Sequence, residues 1–424
     1  MPPKSPDPSS PGHSERSRSA LASEPSAALF GLLALGLPLC LWAIHHGLGH
    51  ESDIRFFYDW YLAFRGDSAF YRDGPGINYP IVGVLFVCGP ARAFDALFGS
   101  GGPVDFETYR CVLKATLVLS EVALIPVVAG LARALGCQRP RTLALLLYVL
   151  PSTWATGALF GQIDVVSTTL LIVAAWALVR FRQRGTPQAL VLGVLALTAA
   201  LLTKQLTWFC APSLGVLALI GLFRRRSPGL WAFALASPVL LFVADPFLDL
   251  PAGYVSHLHF ILVGGGSAHG DLVVASGASI WSVFYSGGTR SEDVHLLVSS
   301  FVWGWIFWAL SQALVLWRLR RAHFSNRAFI WWAGMSQLAM YSLMTGVHER
   351  YFAHAIPFLF LAHLELRSRR GVALLSLSVV SGVYVVATIV PALQWSVLGR
   401  AQPVALFTLA YLLWELNPFA QRQM

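Results

Sequence analysis

Apolar segments of about 20 residues recur along the chain, and short polar stretches separate them. A helix of that length crosses a hydrocarbon core of about 30 Å. Only helices and closed barrels satisfy their backbone hydrogen bonds in lipid, and these segments are too uniformly apolar for the alternation of barrel strands. The pattern therefore predicts an all-α polytopic membrane protein.

One segment, 79–98, is ambiguous, and it decides how many times the chain crosses the membrane. Its apolar run lasts only about eleven residues before Pro90, Arg92 and Asp95 interrupt it, which is short for a span. We therefore predict that this segment is a membrane-surface or re-entrant helix. About twelve transmembrane helices remain, at 27–45, 106–132, 142–159, 163–180, 188–203, 205–223, 229–247, 294–317, 328–346, 351–366, 371–392 and 402–416.

The basic residues support this choice and orient the chain. If 79–98 does not cross, 20 of the 30 basic residues fall on one side, and the positive-inside rule assigns that side to the cytoplasm. If it does cross, every arginine cluster faces outward. Both termini are then predicted to be cytoplasmic. The clusters are Arg133/Arg139/Arg141, Arg180/Arg182/Arg184, Arg224–Arg226, Arg318/Arg320/Arg321/Arg327 and Arg367/Arg369/Arg370, with Lys4, Arg16, Arg18 and Arg422 in the terminal segments.

The chain is predicted to form one transmembrane domain, 27–417, between two short terminal segments. Residues 1–26 are rich in proline and serine with scattered charges, which predicts a disordered cytoplasmic tail. Residues 418–424 are the cytoplasmic C-terminus. An outer loop over 51–98 is expected to carry two membrane-surface helices.

A second outer loop covers 249–293 and is rich in glycine and serine. We interpret it as a flexible substrate loop. Its His257-x-His259 spacing is only a weak metal signal, and we predict no metal site.

Composition agrees with a membrane protein and excludes other classes. Apolar residues make up 56% of the chain, charged residues only 12%, and the mean hydropathy is +0.62. Soluble domains carry about 25% charged residues. The net charge of +9 does not indicate nucleic-acid binding, because the basic residues punctuate the apolar runs instead of forming one patch. The five cysteines have no paired spacing and give no redox or metal signal.

The stretch Glu51–Pro80 concentrates five acidic residues between hydrophobic segments. Asp53 begins an amphipathic helix whose aromatic residues recur at helical spacing, which predicts a helix on the membrane surface. A carboxylate there can take the proton of an attacking hydroxyl. The alternative is that Asp53 only complements a helix N-terminus. Asp59 is a reserve candidate, whereas Asp67 and Asp73 are interpreted as solvated loop acids.

Two further motifs lie at span ends on the same predicted outer side. Gly161-Gln162-Ile163-Asp164 offers an amide and a carboxylate to sugar hydroxyls, or else a plain helix cap. Lys204-Gln205 lies between two spans, where an ammonium suits a lipid phosphate. A snorkelling lysine is the alternative.

The motif His348-Glu349-Arg350 groups three ionisable residues at a predicted bilayer border. Arginine supplies a fork of donors to a phosphate or pyrophosphate. Alternatively, Glu349 and Arg350 form a local ion pair and His348 caps a helix. Inside the second span, Lys114 and Glu121 lie two turns apart on one face, and we interpret them as a structural tie within the bundle.

Together these motifs resemble the GT-C superfamily of polyprenyl-phosphate-sugar-dependent glycosyltransferases. Within it, the chain is similar to the dolichyl-phosphate-glucose-dependent glucosyltransferases of N-glycan assembly and to bacterial mannosyltransferase relatives. The matching residues, in order over 27 to about 366, are Asp53, Trp60, Tyr79-Pro80, Phe160-Gly161-Gln162-Ile163-Asp164, Lys204-Gln205, Ala211-Pro212 and His348-Glu349-Arg350, the last departing from His-Glu-Lys.

The resemblance implies a GT-C fold with two surface helices between the first two spans. It implies that the chain moves a hexose, mannose or glucose, from a polyprenyl-phosphate-sugar to a glycolipid, glycan or protein acceptor, with inversion. The expected setting is a bacterial plasma membrane with the site facing outward, with neither cofactor nor metal and with no nucleic-acid partner. The implied roles are general base for Asp53, donor phosphate binding for Lys204, His348 and Arg350, and sugar or acceptor binding for Gln162, Asp164, Gln205, Glu349 and Tyr79.

Two other functions remain open from the residues alone. A polytopic lipid or sugar transporter (flippase) would use similar outward polar groups, but it should also need a polar path to the cytoplasmic side. Apart from Glu121, few ionisable residues lie deep in the predicted spans. A membrane scaffold would leave the alignment of Asp53, Lys204 and His348 unexplained.

Overall fold

The computed structural model of the chain covers most of the predicted transmembrane domain. It describes residues 49–64, 79–99, 102–243, 272–275, 277–285, 289–290, 295–364, 368–389 and 401–417, with the side chains of 237–243 and 295–296 excepted. The predicted tail, the first span, Asp67, Asp73, most of the 249–293 loop with His257 and His259, and the C-terminal segment 418–424 lie outside these residues.

The first half of the described chain consists of helices. Its elements are α1 Glu51–Ala63, α2 Ile81–Phe98, α3 Phe106–Ala134, α4 Pro140–Val149, α5 Pro151–Trp154, a π-helical turn Ala155–Leu159, α6 Asp164–Arg184, α7 Pro187–Leu201, a 3-10 helix Gln205–Phe209, α8 Ala211–Arg225 and α9 Pro228–Val243.

The second half adds one short antiparallel ladder, in which His295 lies opposite Ser299. Its elements are α10 Trp281–Phe284, β1 His295–Leu296, β2 Val298–Ser299, α11 Ser300–Arg321, α12 Asn326–Leu343, a 3-10 helix Glu349–His354, α13 Ala355–His363, α14 Arg369–Ile389 and α15 Ala401–Leu416.

Five of the described helices, α2, α3, α6, α11 and α14, are long and apolar enough to cross a membrane. The α4–α5 pair with its π-helical turn forms a broken sixth candidate, bent by 56°. Helices α7 and α15 are apolar but shorter. The chain is thus an integral multi-pass helical membrane protein. The total of about twelve spans stays a prediction, since its first span lies outside the described residues.

The bundle has two chemically distinct ends. At one end, which we call the arginine end, the last turns of α3, α6 and α8 meet. Gln183 donates to the carbonyl of Ala134 at 2.8 Å, and Arg225 donates to the carbonyl of Arg184 at 3.0 Å. The opposite end, the site end, carries the polar motifs that begin α6 and follow α7.

Three chain segments leave α-helical geometry at the site end. They are the π-helical turn after α5, the 3-10 helix after α7 and the 3-10 helix before α13. Irregular backbone is costly in lipid unless protein groups satisfy it. Here the irregular segments are largely enclosed by the bundle.

Lys114 and Glu121 of α3 fasten the π-helical turn. Glu121 Oε1 accepts the N–H of Ala158 at 2.7 Å, and Lys114 Nζ donates to the carbonyl of Leu159 at 3.3 Å. Both side chains have 0% exposure. A methyl group at Gly157 would overlap the Glu121 carboxyl group, so glycine is required for this close approach. The pair is a structural tie, and it fixes the backbone that leads into Phe160.

Aromatic side chains hold α1 against the start of α3. Trp60 and Tyr61 are fully buried there. The Tyr58 hydroxyl donates to the carbonyl of Val104 at 2.9 Å, and the N–H of Val104 donates to the Tyr61 hydroxyl at 3.1 Å. These bonds place α1 and the beginning of α3 at the same end of the bundle.

Helix α2 is continuous through Pro90, and Arg92 lies 3.5 Å from the buried Asp95 carboxylate. Its length therefore does not exclude a span. However, the N–H of Gly83 donates to the carbonyl of Leu202 at 3.1 Å, next to the site-end turn. Seven residues connect its other end to Phe106, which also lies at the site end. The placement of α2 outside the set of spans stays a prediction, because the helix is also long and apolar enough to cross.

Cysteine labelling tests this placement of α2. In a background with the exposed Cys111 replaced by Ser, Leu62→Cys and Gly102→Cys should react with a membrane-impermeant maleimide from the same side. Ser227→Cys, between α8 and α9, should react only from the other side. Labelling of Leu62→Cys and Gly102→Cys from opposite sides would show that α2 crosses the membrane.

A second measurement tests the tie between α3 and the π-helical turn. Glu121→Leu leaves the buried N–H of Ala158 without its acceptor, at a cost of about 1–3 kcal/mol. It should therefore lower the thermal unfolding temperature in detergent, whereas Glu121→Gln keeps an acceptor oxygen and should lose much less. Equal losses in the two variants would mean that the acceptor is not what stabilises the turn.

Candidate active site

Four chain segments that are far apart in sequence meet at the site end. They contribute Asp53 from α1, Asp164 from the start of α6, Lys204 from the turn after α7 and Arg350 from the 3-10 helix before α13. The sequence predicted this grouping on one face. We call these four residues, with their bonded neighbours, the polar cluster.

Asp53 directs its carboxylate into the polar cluster and does not cap its helix. Helix α1 begins at Glu51, and its N-cap His50 makes no side-chain capping bond. Asp53 Oδ1 lies 3.2 Å from His50 Nδ1, and Oδ2 accepts from Gln162 Nε2 at 2.5 Å. Arg350 NH2 lies 3.8 Å from the same Oδ2.

These contacts fix the ionisation of Asp53. Burial raises the pKa of its carboxyl group, but the His50 hydrogen bond, the Arg350 charge and the Gln162 hydrogen bond outweigh it. Together they hold the pKa well below its usual value. The group is therefore a carboxylate at neutral pH.

The turn 160–163 is clamped to the start of α1. The N–H of His50 donates to the carbonyl of Phe160 at 3.1 Å, and the two rings stack at 4.8 Å between centroids. Gly161 has φ +95°, a conformation that favours glycine, and a Cβ there would crowd Ile54. The turn presents Gln162, whose Oε1 accepts from the Tyr79 hydroxyl at 2.7 Å.

Asp164 is the centre of the polar cluster and has 0% exposure. Its Oδ2 lies 2.7 Å from Lys204 Nζ and 3.8 Å from Arg350 Nε, and its Oδ1 lies 3.6 Å from His354 Nε2. It is the first residue of α6, but the helix has no side-chain cap. Its carboxylate therefore joins segments and does not act as a plain helix cap.

Lys204 is buried and does not snorkel. Its side chain is 3% exposed, and its ammonium lies 5.4 Å from the ring centroid of Tyr79 and 5.7 Å from that of Tyr351. Its extended backbone precedes the 3-10 helix, where Gln205 is the first, half-buried residue.

Arg350 connects the carboxylates of the polar cluster. Besides Asp53 and Asp164, it contacts Glu349 Oε1 at 3.4 Å, so the predicted local ion pair is present together with longer-range pairs. Its guanidinium lies over Phe160 at 4.8 Å. His348 Nδ1 lies 4.0 Å from Glu349 Oε2, at the margin of the cluster.

Solvent access separates the three carboxylates. The Asp53 side chain is 27% exposed, whereas Glu349 is 3% and Asp164 is 0% exposed. Only Asp53 of the three therefore presents its carboxylate to an incoming molecule. The reserve candidate Asp59 is exposed on a different face of α1, away from the buried Ile54, Phe57 and Trp60.

Three members of the polar cluster were missed from sequence: His50, His354 and Tyr351. His354 has 0% exposure and also lies 3.0 Å from Ser167 Oγ. A signal for His50 was available, because it precedes Asp53 by three residues and so shares its helical face. In the described part of the chain, no group of three histidine, cysteine or acidic residues is arranged to hold a metal ion.

No protein-family model matches the sequence, and no curated protein matches it either. Among solved structures, the chain is similar to the crystal structure of ArnT from Cupriavidus metallidurans in the apo state. The similarity has a TM-score of 0.48 and 16% sequence identity, and it covers 92% of this chain and 78% of that chain.

Proposed function

We propose that the protein is an inverting membrane glycosyltransferase that moves a hexose, mannose or glucose, from a polyprenyl-phosphate-sugar to a glycolipid, glycan or protein acceptor. One observation carries the proposal. Of the three carboxylates around Arg350, only Asp53 is accessible, and the buried Asp164 and Glu349 hold that arginine in place. A base next to a phosphate-binding cation is what displacement at a phosphate-activated anomeric carbon requires.

Asp53 is the general base in this proposal. The acceptor hydroxyl attacks the anomeric carbon, a new glycosidic C–O bond forms, and the bond between that carbon and the donor phosphate oxygen breaks. The hydroxyl proton passes to Asp53, and the lipid phosphate leaves with the bonding electron pair. Attack opposite the leaving group inverts the anomeric configuration.

The donor phosphate is bound by Arg350 and His348, whose side chains are 9% and 12% exposed. Lys204 is the third proposed cation, but its ammonium is engaged by Asp164 at 2.7 Å. Lys204 must therefore leave Asp164 to contact the phosphate directly, or else act through its charge. Gln162, Asp164, Gln205, Glu349 and Tyr79 are the proposed sugar or acceptor contacts.

Donor binding would also change the base. The Arg350 charge helps to hold the pKa of Asp53 low, which makes the carboxylate a weak base. A phosphate bound to Arg350 offsets that charge and makes Asp53 more basic. The base would then be most effective when the donor is in place.

The site is proposed to face the extracytoplasmic side of a bacterial plasma membrane, with both termini in the cytoplasm. Nine arginines at the arginine end support this orientation through the positive-inside rule. No cofactor is proposed, because the donor already carries a phosphate leaving group.

Transfer of labelled sugar from a polyprenyl-phosphate-sugar by the purified protein tests the base. Asp53→Asn should lower the transfer rate about 10²–10⁴-fold, since general-base catalysis contributes about that much. Donor binding should persist. The control is Asp59→Asn, which removes an exposed carboxylate from the same helix. Full activity of Asp53→Asn, or an equal loss of activity in the control, would refute Asp53 as the base. If the wild-type protein moves donor lipid across the membrane without transferring sugar, it is a transporter.

A second set of variants tests the phosphate contact. Arg350→Gln removes charge-assisted hydrogen bonds and should raise the KM for donor about tenfold or more. Arg350→Lys keeps the charge and should raise KM less, and Arg55→Gln, on the exposed face of α1, should leave it unchanged. Thermal unfolding of each variant checks that the fold persists. A normal KM in folded Arg350→Gln would remove Arg350 from the donor site.

A further inference from the structure

The helices α3 to α9 bring many arginines but few carboxylates to the arginine end. Between residues 122 and 244 the chain has nine arginines, and the only acidic residue in that interval is Asp164, at the site end. The arginines follow or precede the helices that meet at the arginine end. Any negative partner of these arginines therefore comes from another part of the chain or from outside the protein.

A groove of about 230 Å³ lies at this end between α6 and α7. Arg180 and Arg184 line it one helical turn apart on α6, with Thr186 and Gln188 beside them, and Trp176 and Leu192 form its apolar wall. In the described part of the chain, neither arginine side chain forms a salt bridge. Arg184 is exposed, and Arg180 is half-buried.

The groove is built from packed side chains. The Arg180 guanidinium lies over the Trp176 ring at 5.2 Å, and Trp176 in turn packs on Gly130 of α3. Arg225 donates to the carbonyl of Arg184, which fixes the last turn of α6 without using the Arg184 side chain. Trp176 thus positions the Arg180 guanidinium, and Arg180 and Arg184 both line the groove.

The position of the groove along α6 indicates what kind of molecule it binds. Helix α6 is long and apolar enough to cross a membrane, and both arginines lie in its last two turns, at the depth of lipid head groups. The apolar wall of the groove continues along α7 toward the hydrocarbon core of the membrane, where Leu192 and Leu195 are exposed. An occupant that is anionic at one end and apolar at the other fits both parts.

We propose that this groove binds one anionic glycerophospholipid. Its phosphate accepts hydrogen bonds from Arg180 and Arg184, its head group reaches Thr186 and Gln188, and an acyl chain lies against Trp176 and Leu192. Basic pockets between transmembrane helices are known to bind anionic head groups, and arginine offers a planar fork of donors to phosphate. The site is remote from the polar cluster and does not depend on the proposed transfer reaction.

Native mass spectrometry of the purified full chain with added phosphatidylglycerol tests the proposal. Each arginine near an anionic head group contributes about fivefold to binding, so Arg180→Gln with Arg184→Gln should weaken the first bound lipid about thirtyfold. The control is Arg139→Gln with Arg141→Gln, which removes two exposed arginines from the same end and should change binding less than about threefold. Equal weakening in the two pairs would show diffuse attraction to the arginine end and overturn the site.

Two further arms separate the lipid from other occupants. Ala189→Trp fills the groove without changing its charge and should also displace phosphatidylglycerol. Phosphatidylcholine should bind weakly, and inorganic phosphate should not compete. Retention of phosphatidylglycerol by Ala189→Trp, or its displacement by inorganic phosphate, would contradict a groove-bound lipid. Unchanged thermal unfolding and sugar transfer in all variants verify that the fold is intact.

Discussion

The buried carboxylate of Asp164 is the interaction on which the site end depends. A charge with no exposed surface is very costly unless cations and hydrogen-bond donors compensate it. Lys204 and Arg350 supply that compensation, and each comes from a different turn of the chain. Separating either turn from α6 would leave a charge uncompensated at the membrane border. The need to pair Asp164 therefore helps to bring the motifs together.

The lipid environment imposes a related constraint on the backbone. The π-helical turn and the two 3-10 helices give up regular hydrogen bonds at membrane depth, and such turns often mark functional sites. The protein meets the cost with side chains from neighbouring helices, as Glu121 does for Ala158. Helices that stop short of a full span leave room for polar side chains between them. The polar cluster occupies that room.

The extent of the helices could be predicted from sequence, because a span is mostly a matter of apolar length. The predicted span 106–132 corresponds to Phe106–Ala134, and 163–180 corresponds to the longer Asp164–Arg184. The breaks could not be predicted, because they depend on partners far along the chain, such as Glu121 and Ala158. The sequence motifs already favoured Asp53 over Asp59, and the start of α1 at Glu51 adds the physical reason, because the two side chains lie on different faces of the helix. His354 was missed because a single histidine at a helix start gives no pattern.

Gln162 links Tyr79 to Asp53 through the two ends of its amide. A glutamine amide has one end that only accepts and one that only donates. The Tyr79 hydroxyl donates to the amide oxygen of Gln162, and the amide nitrogen donates to Asp53. The amide N–H is satisfied by an ionised Asp53, whereas a proton on the facing carboxyl oxygen would oppose it. Since a tyrosine hydroxyl can donate or accept, the ionised Asp53 sets the direction of the amide, and Tyr79 follows by donating to the amide oxygen.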